Sequence, residues 1–249
     1  MSAFEKHWET VATTAPLLPR EHLLHVFPSF GIGGVPLRMV RIINYFDRLF
    51  RHTVVALDND YEAAAGVSSD LDVTILPWEH PKRGALAAIA ICALALRRLQ
   101  PDLLLTYNWG AIEWAMASRL WHVPRHVHIE AGFSQGEADG QLRRRVLFRR
   151  SALARCDLVV VPSRRLKHLA RQVWRLPAAR ISYIPNGVDA ARFAAPVRDR
   201  IPDFSRRPGE LVIGTVAPLR PEKNIGRLLK VFALLGNSPP CASSLRVMA

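Results

Sequence analysis

An α/β fold, a parallel sheet flanked by helices, is predicted for this chain by two observations. Short β-rich runs alternate with helical patterns from residue 22 onward. After a proline-rich break at 194–209 the same strand–turn–helix grammar begins again, which predicts the opening of a second unit of the same class.

The strand candidates come in order at His22–Phe27, His52–Leu57, Val73–Leu76, Leu103–Thr106, His126–Ile129, Asp157–Val161 and Ile181–Ile184. The first helix follows Pro36, a residue suited to a first helical turn. Its apolar positions Met39, Ile42, Ile43, Phe46, Leu49 and Phe50 are spaced for one face. Ala85–Leu96 is the longest uncharged apolar run, at twelve residues. A bilayer span needs about 20, so this run predicts a buried helix. Further helices are expected over Gly110–Leu120, over the basic stretch Gln141–Arg155, and after Ser163 as N-cap, with Leu166, Leu169, Ala170, Val173 and Trp174 facing inward.

The expected organisation is an N-terminal extension (1–20), a first domain (21–193), a linker (194–209), an incomplete second domain (210–235) and an irregular tail (236–249). The second domain would consist of strand Leu211–Val216, a turn and helix Ile225–Leu235, too little to bury a core of its own. Residues 1–20 carry Glu5 and Glu9 and no apolar stretch of the kind a secretion signal needs. The three cysteines, Cys92, Cys156 and Cys241, have neither metal nor redox spacing, and a cytoplasmic location is expected. A net charge of +13 favours anionic partners: phosphorylated substrates, a lipid surface or nucleic acid. No nucleic-acid recognition module accompanies it, so nucleic acid is not an expected partner.

Four segments have residues suited to chemistry. In Phe30–Pro36 the glycines, Gly33 and Gly34 among them, allow close backbone approach to a ligand, and the helix start behind them favours negative charge. A tight turn explains the same residues. A dinucleotide loop is the rival, with Asp58 as ribose acid, although Pro36 stands where that fingerprint needs its third glycine. Asn108 and Trp109, leaving the fourth strand, suit a sugar through hydrogen bonds and ring stacking. Helix capping by Asn108 with Trp109 packed inward is the equal alternative. Alternation puts His126, His128 and Glu130 on one side of the fifth strand. With His122 they suggest a metal, but no second ligand cluster accompanies them. A single polar residue, His128 or Glu130, reaching the cleft is preferred. Lastly, Arg220 and Lys223 beside a helix start form a candidate diphosphate clamp, against the plain reading of two solvated cations.

Taken in order, FGIGGVPLRMVRI, TYNWGAIEWAMA, HVHIEAGF, RRLKHLARQVWRLPAARISYIPNGVDAARF and GTVAPLRPEKNIGRLLKVFA resemble the retaining glycosyltransferases of family 4 from about His22 to Leu235. The resemblance implies the GT-B architecture, in which two Rossmann-like domains face a cleft. The first domain would hold the acceptor, a polysaccharide, lipid-linked or other glycan, and the second a nucleotide-diphosphate sugar as donor. It implies that Gly33 and Gly34 approach the donor diphosphate or the acceptor. His128 and Glu130 would be the catalytic-site residues, Asn108 and Trp109 would meet the acceptor, and Lys223, with Arg220, would neutralise the leaving diphosphate. No metal or other cofactor is implied.

Three departures stand out. Pro218 occupies the place of the family's arginine, with Arg220 as a displaced substitute, and Ala131 stands where an Asp is expected. The paired glutamates that grip the donor would lie beyond residue 249, which predicts low turnover for this chain. The expectation is thus a sugar transferase. A non-catalytic remnant binding acceptor-like ligands is the first alternative and a nicotinamide-dependent oxidoreductase the second. The arginines of 143–150 suit peripheral contact with the inner membrane surface or a phosphorylated acceptor.

Overall fold

The computed structural model describes residues 20–79, 84–121, 123–132, 141–194, 214–215, 217 and 223–236. Two units are present, 1–186 and 187–249.

Unit 1 is built on seven parallel strands: β1 (His22–Phe27), β2 (Arg51–Ala56), β3 (Val73–Ile75), β4 (Leu103–Tyr107), β5 (His126–Ile129), β6 (Leu158–Val161) and β7 (Ile181–Tyr183). Their spatial order is β3-β2-β1-β4-β5-β6-β7, each pair parallel. The connections are α1 (Gly34–Phe46), α2 (Ala85–Leu99), α3 (Ile112–Leu120), α4 (Arg143–Leu153) and α5 (Arg164–Gln172). Each of the seven strands expected between His22 and Ile184 is present to within one residue at either end.

In-register parallel pairing puts partners on the same face, so parity along the strands reads directly as layer. Leu24, Val26, Val55 and Leu104 pack on Ile89, Cys92 and Leu96 of α2 and on Trp114 and Ala117 of α3. Val159, Val161 and Ile181 continue that layer against α3, Ala152 and Leu153 of α4, and Leu166 and Ala170 of α5. The opposite face, with Phe27, Val54, Ala56, Tyr107 and Ile129, packs on Met39 and Val40 of α1 and on Ala63.

Two local expectations change. Helix α1 buries Pro36, Met39, Val40 and Ile43, whereas Ile42 and Leu49 are exposed. The helix stops at Phe46 because Asp47 takes a left-handed φ of 49°, and a short 3-10 turn, Asp47–Leu49, follows. That break rotates Leu49 off the face a continuous helix would have given it. Ser163 does cap α5, its Oγ accepting from the Leu166 N–H at 3.1 Å. Val173, expected inside, is exposed because α5 ends at Gln172 and turns Trp174 into the core instead.

Unit 2 contains the short helix α6 (Ala190–Ala194) and helix α7 (Ile225–Gly236). The expected strand Leu211–Val216 lies outside the described residues except for Gly214 and Thr215, as do most of the expected linker and the tail after Gly236.

The strands bury an unusual number of histidines. His25 Nδ1 meets the Tyr107 hydroxyl at 3.0 Å, and its Nε2 meets His52 Nδ1 at 3.0 Å. Burial pushes His25 down to about 3, His52 to about 4 and His126 to about 3. Each is neutral when folded but takes up a proton at about 6.5 when unfolded. Stability is therefore fully present above pH 6.5 and lost as pH falls toward those depressed values. At pH 5 each such histidine costs about 2 kcal/mol. Urea unfolding at pH 7.5 and 5.0 is expected to show this loss, and His25→Phe is expected to flatten the dependence.

Candidate functional site

In an open parallel sheet, ligands gather at the carboxyl edge where the strand order reverses. Here that point lies between β1 and β4, since the chain winds outward from β1 through β3 and then from β4 through β7. The loops leaving β1 and β4 touch: a Cβ on Gly110 would lie 2.8 Å from the Pro28 ring. Glycine is thus required at residue 110 for the two loops to close on each other.

The glycine loop is anchored from below. Phe30 is fully buried against Phe27, and its N–H donates to the Asp60 carbonyl at 3.0 Å. At Gly31 a Cβ would meet the Asp60 carboxylate at 2.2 Å, so this glycine is needed for packing. Gly33 and Gly34 are different. Gly33 has extended backbone open to any residue (φ −167°), and a Cβ at Gly34 would meet nothing within 4 Å. Neither backbone shape nor a described neighbour demands glycine at either position. Behind them α1 starts without a side-chain cap and with no acid in its first turn. Arg38, one turn in, donates to the Asn186 side chain in the turn after β7.

Asn108 takes a left-handed φ of 55°. Its N–H donates to the Ile129 carbonyl at 2.9 Å, and its Oδ1 accepts from the Ala131 N–H at 2.8 Å. The side chain therefore ties β4 to the end of β5 and caps no helix. Trp109 is half-buried, edge-on to Phe148, with the Arg145 and Arg149 guanidinium carbons 5.4 and 4.9 Å from its ring. The inward-packed alternative holds for this indole.

His128 and Glu130 do not reach an open cleft: both are buried. Thr106 Oγ1 lies 2.8 Å from His126 Nε2 and 2.9 Å from His128 Nδ1, which confirms that the two rings share a side of β5. His128 Nε2 then faces Glu130 Oε2 at 3.6 Å, and Arg149 Nη2 approaches the same oxygen at 3.4 Å. The Arg149 guanidinium lies between two indoles, 4.9 Å from Trp109 and 4.5 Å from Trp174. An arginine this deep makes physical sense only with a carboxylate beside it. No group of three or more metal-ligating side chains occurs among the described residues, and His122 lies outside them.

Lys223 is exposed, just ahead of α7 in unit 2, and Arg220 lies outside the described residues. Arg38 and Asp60 were missed by sequence reasoning, since one cation among 34 Lys and Arg has no local signature. Arg149, expected among the arginines suited to a membrane surface or phosphorylated acceptor, is instead buried, and it and Thr106 are distinguished by partners 19 and 20 residues away.

Glycosyltransferase Family 4 is the family whose sequence profile matches this chain, over residues 32–192. The chain belongs to that family. The match covers the glycine loop, the Asn108 turn and the buried Glu130–Arg149 pair. No curated protein matches the chain. Among solved structures it is similar to Anabaena Alr3699/HepE in complex with UDP and glucose, at 17% identity and TM-score 0.52, covering 69% of this chain and 46% of that one. The same Anabaena protein in complex with UDP-glucose aligns at 17% identity and TM-score 0.51, over 68% and 45%. A glycosyltransferase from Rickettsia africae aligns at 13% identity and TM-score 0.49, over 89% of this chain and 52% of that one. The chain thus spans less than half the length of the Anabaena structures. At such identities the likeness is one of fold, and it agrees with the parallel sheet of a family 4 first domain.

Removing Glu130 takes away the carboxylate that the buried Arg149 faces at 3.4 Å. Glu130→Ala is expected to cost about 3–5 kcal/mol in urea unfolding. The double variant Glu130→Leu/Arg149→Met should recover much of that loss, and a double variant no better than the single would show the pair to be uncoupled.

Proposed function

We propose that this family 4 chain supplies the acceptor side of a retaining sugar transfer from a nucleotide-diphosphate donor to a polysaccharide, lipid-linked or other glycan acceptor. Transfer would take place without a metal. The observation that carries the reading is the pair Gly33–Gly34 at the topological switch point, glycines that neither backbone shape nor a packing neighbour requires. Glycines without a protein reason are the ones a ligand's close approach explains.

The chemistry around them suits a sugar. The uncapped start of α1 offers backbone N–H donors to oxygen. The Asp60 carboxylate packs beneath Gly31, two residues away, and supplies acceptors for hydroxyl groups. That negative charge favours a sugar or acceptor hydroxyl over a phosphate at this loop. The diphosphate is assigned to Lys223, with Arg220, in unit 2, where cations offset the charge of the leaving group. His128 and Glu130 act beneath the site, holding the ends of β4 and β5, and Asn108 fixes the loop on which an acceptor would rest. UDP in the Anabaena structures makes a uridine donor the first to test. Work at the inner membrane surface fits a lipid-linked acceptor.

Because the chain spans less than half of the Anabaena structures, binding is a better readout than turnover. Ligand-observed NMR with soluble and lipid-linked glycans should identify binders. Gly34→Val should weaken them about tenfold or more, since a branched side chain would fill the approach, and leave the thermal midpoint unchanged. A falling midpoint would make Gly34 structural. Tight binding of a nicotinamide dinucleotide with no glycan bound would overturn the reading.

A further inference from the structure

The charge of this chain is concentrated in one place. Between residues 141 and 181 stand 12 of its 34 Lys and Arg but only one of its 21 Asp and Glu, so this stretch holds +11 of the net +13. The single acid, Asp157, is exposed and is engaged through its Oδ2, which accepts from the His126 N–H at 2.7 Å. The remainder of the chain is nearly balanced.

The structure gathers that charge on one layer. Helices α4 and α5 pack on the same sheet face through Ala152, Leu153, Leu166 and Ala170. Gln141, just ahead of α4, accepts from the Trp174 indole N–H at 2.7 Å, which holds the end of α5 beside the start of α4. Their outer faces expose Arg143, Arg144, Arg150, Arg164, Lys167 and Arg171. Along α4 the spacing of Arg143, Leu147 and Arg150 makes one stripe, and Leu147 at its centre is 64% exposed. Leu142, at the helix start, is 51% exposed.

We propose that the outer face of α4 and α5 docks unit 1 on an anionic lipid bilayer, with arginines at the headgroups and Leu142 and Leu147 reaching the acyl boundary. Arginines beside exposed leucines match an interface that is charged above and apolar below. A nucleic-acid strand would leave those leucines in water. It would also find no stacking platform here, because Trp174 is buried and Phe148 packs inward. No helix among the described residues is long and apolar enough to cross a membrane, so the contact is peripheral.

The placement has a consequence, which rests on the acceptor-side reading above. Helix α4 follows the carboxyl end of β5 and α5 that of β6, so Arg143, Arg144 and Arg164 stand at the same edge of the sheet as the switch-point loops. A bilayer against this face would lie on the opposite side of the sheet from α1, and a lipid-linked acceptor would reach the glycine loop around the shared carboxyl edge.

The test is sedimentation of the whole chain with phosphatidylcholine vesicles containing no phosphatidylglycerol or about 40%. Partitioning should rise about tenfold or more with the anionic lipid and fall about tenfold between 0.1 and 0.5 M NaCl. Arg143→Glu/Arg144→Glu/Arg150→Glu should lose about tenfold or more, and Leu147→Ser about threefold. Arg20→Glu/Arg41→Glu/Arg51→Glu, an equal charge change on exposed positions elsewhere, should bind as the parent does. Melting curves confirm folding, and glutamine replaces glutamate where a reversal unfolds the chain. Equal loss in both triple variants would overturn the proposal, as would stronger binding to duplex DNA than to vesicles. Vesicle binding without glycan binding would remove the sugar reading and leave the docking face. Glycan binding without vesicle binding would do the reverse.

Discussion

One buried ion pair joins the second half of this sheet to its helices and to its candidate site. Glu130 ends the run of β5, Arg149 projects from the inner side of α4, and the two meet at 3.4 Å with both side chains buried. The guanidinium lies between Trp109, which leaves β4, and Trp174, which closes α5. Two strand-to-helix connections and the helix-to-strand connection after α5 therefore converge on one cation. Desolvating it is costly, and the Glu130 carboxylate at its edge and the aromatic faces above and below help to offset that cost. The pair fixes where the Asn108 turn can lie, and with it the floor of the switch-point crevice. Geometry at the carboxyl edge thus depends on chemistry one layer down.

Thr106 extends the arrangement. Its hydroxyl sits between His126 and His128, so the imidazoles on one side of β5 are held by a neighbour strand. A second polar seam, Tyr107–His25–His52, runs through the opposite face. Burial holds His25, His52 and His126 neutral, because an imidazolium at any of these three places would be desolvated. Polar residues that looked like ligands or catalysts in the sequence act here as specific fasteners between strands. A slip of one residue in register would move each histidine to the wrong face.

Most of the architecture was legible before the structure, because parallel strands buried on both sides are short, apolar and separated by helices with a clear period. In unit 1 element type and order came through, strand boundaries moved by at most a residue, and helix ends moved by up to four. The failures have physical causes. The face of α1 was misjudged since Asp47 breaks the helix through backbone strain that no periodicity reveals. For Trp109 the sequence offers a sugar platform and an inward-packed residue equally, and its half-buried packing against Phe148, Arg145 and Arg149 involves partners 36 to 40 residues further along the chain. His128 and Glu130 were placed on the correct side of the strand, but alternation gives a side and not a depth. Gly33 and Gly34 were found because glycine at a strand-to-helix turn is conspicuous. Only the structure separates them from Gly31 and Gly110, whose neighbours require glycine.

The same parity argument shows how unevenly the sheet is covered. Along β4, β5 and β6 the residues facing α2 to α5 are buried: Leu104, Thr106, His126, His128, Val159 and Val161. On the other face, Leu103, Leu105, Val127, Leu158 and Val160 are only partly buried. Crossover handedness explains the asymmetry. Right-handed connections to the left of the switch point lay their helices on one face, and those to the right lay theirs on the other. The covered side is also the side on which α4 and α5 hold the excess positive charge. Strand order therefore determines two properties together: where the switch-point loops lie and which face is sealed by helices. A single change in winding direction at β4 places α2 to α5 on one side, and it is the arginine-rich sequence of α4 and α5 that makes the outer surface of that side cationic.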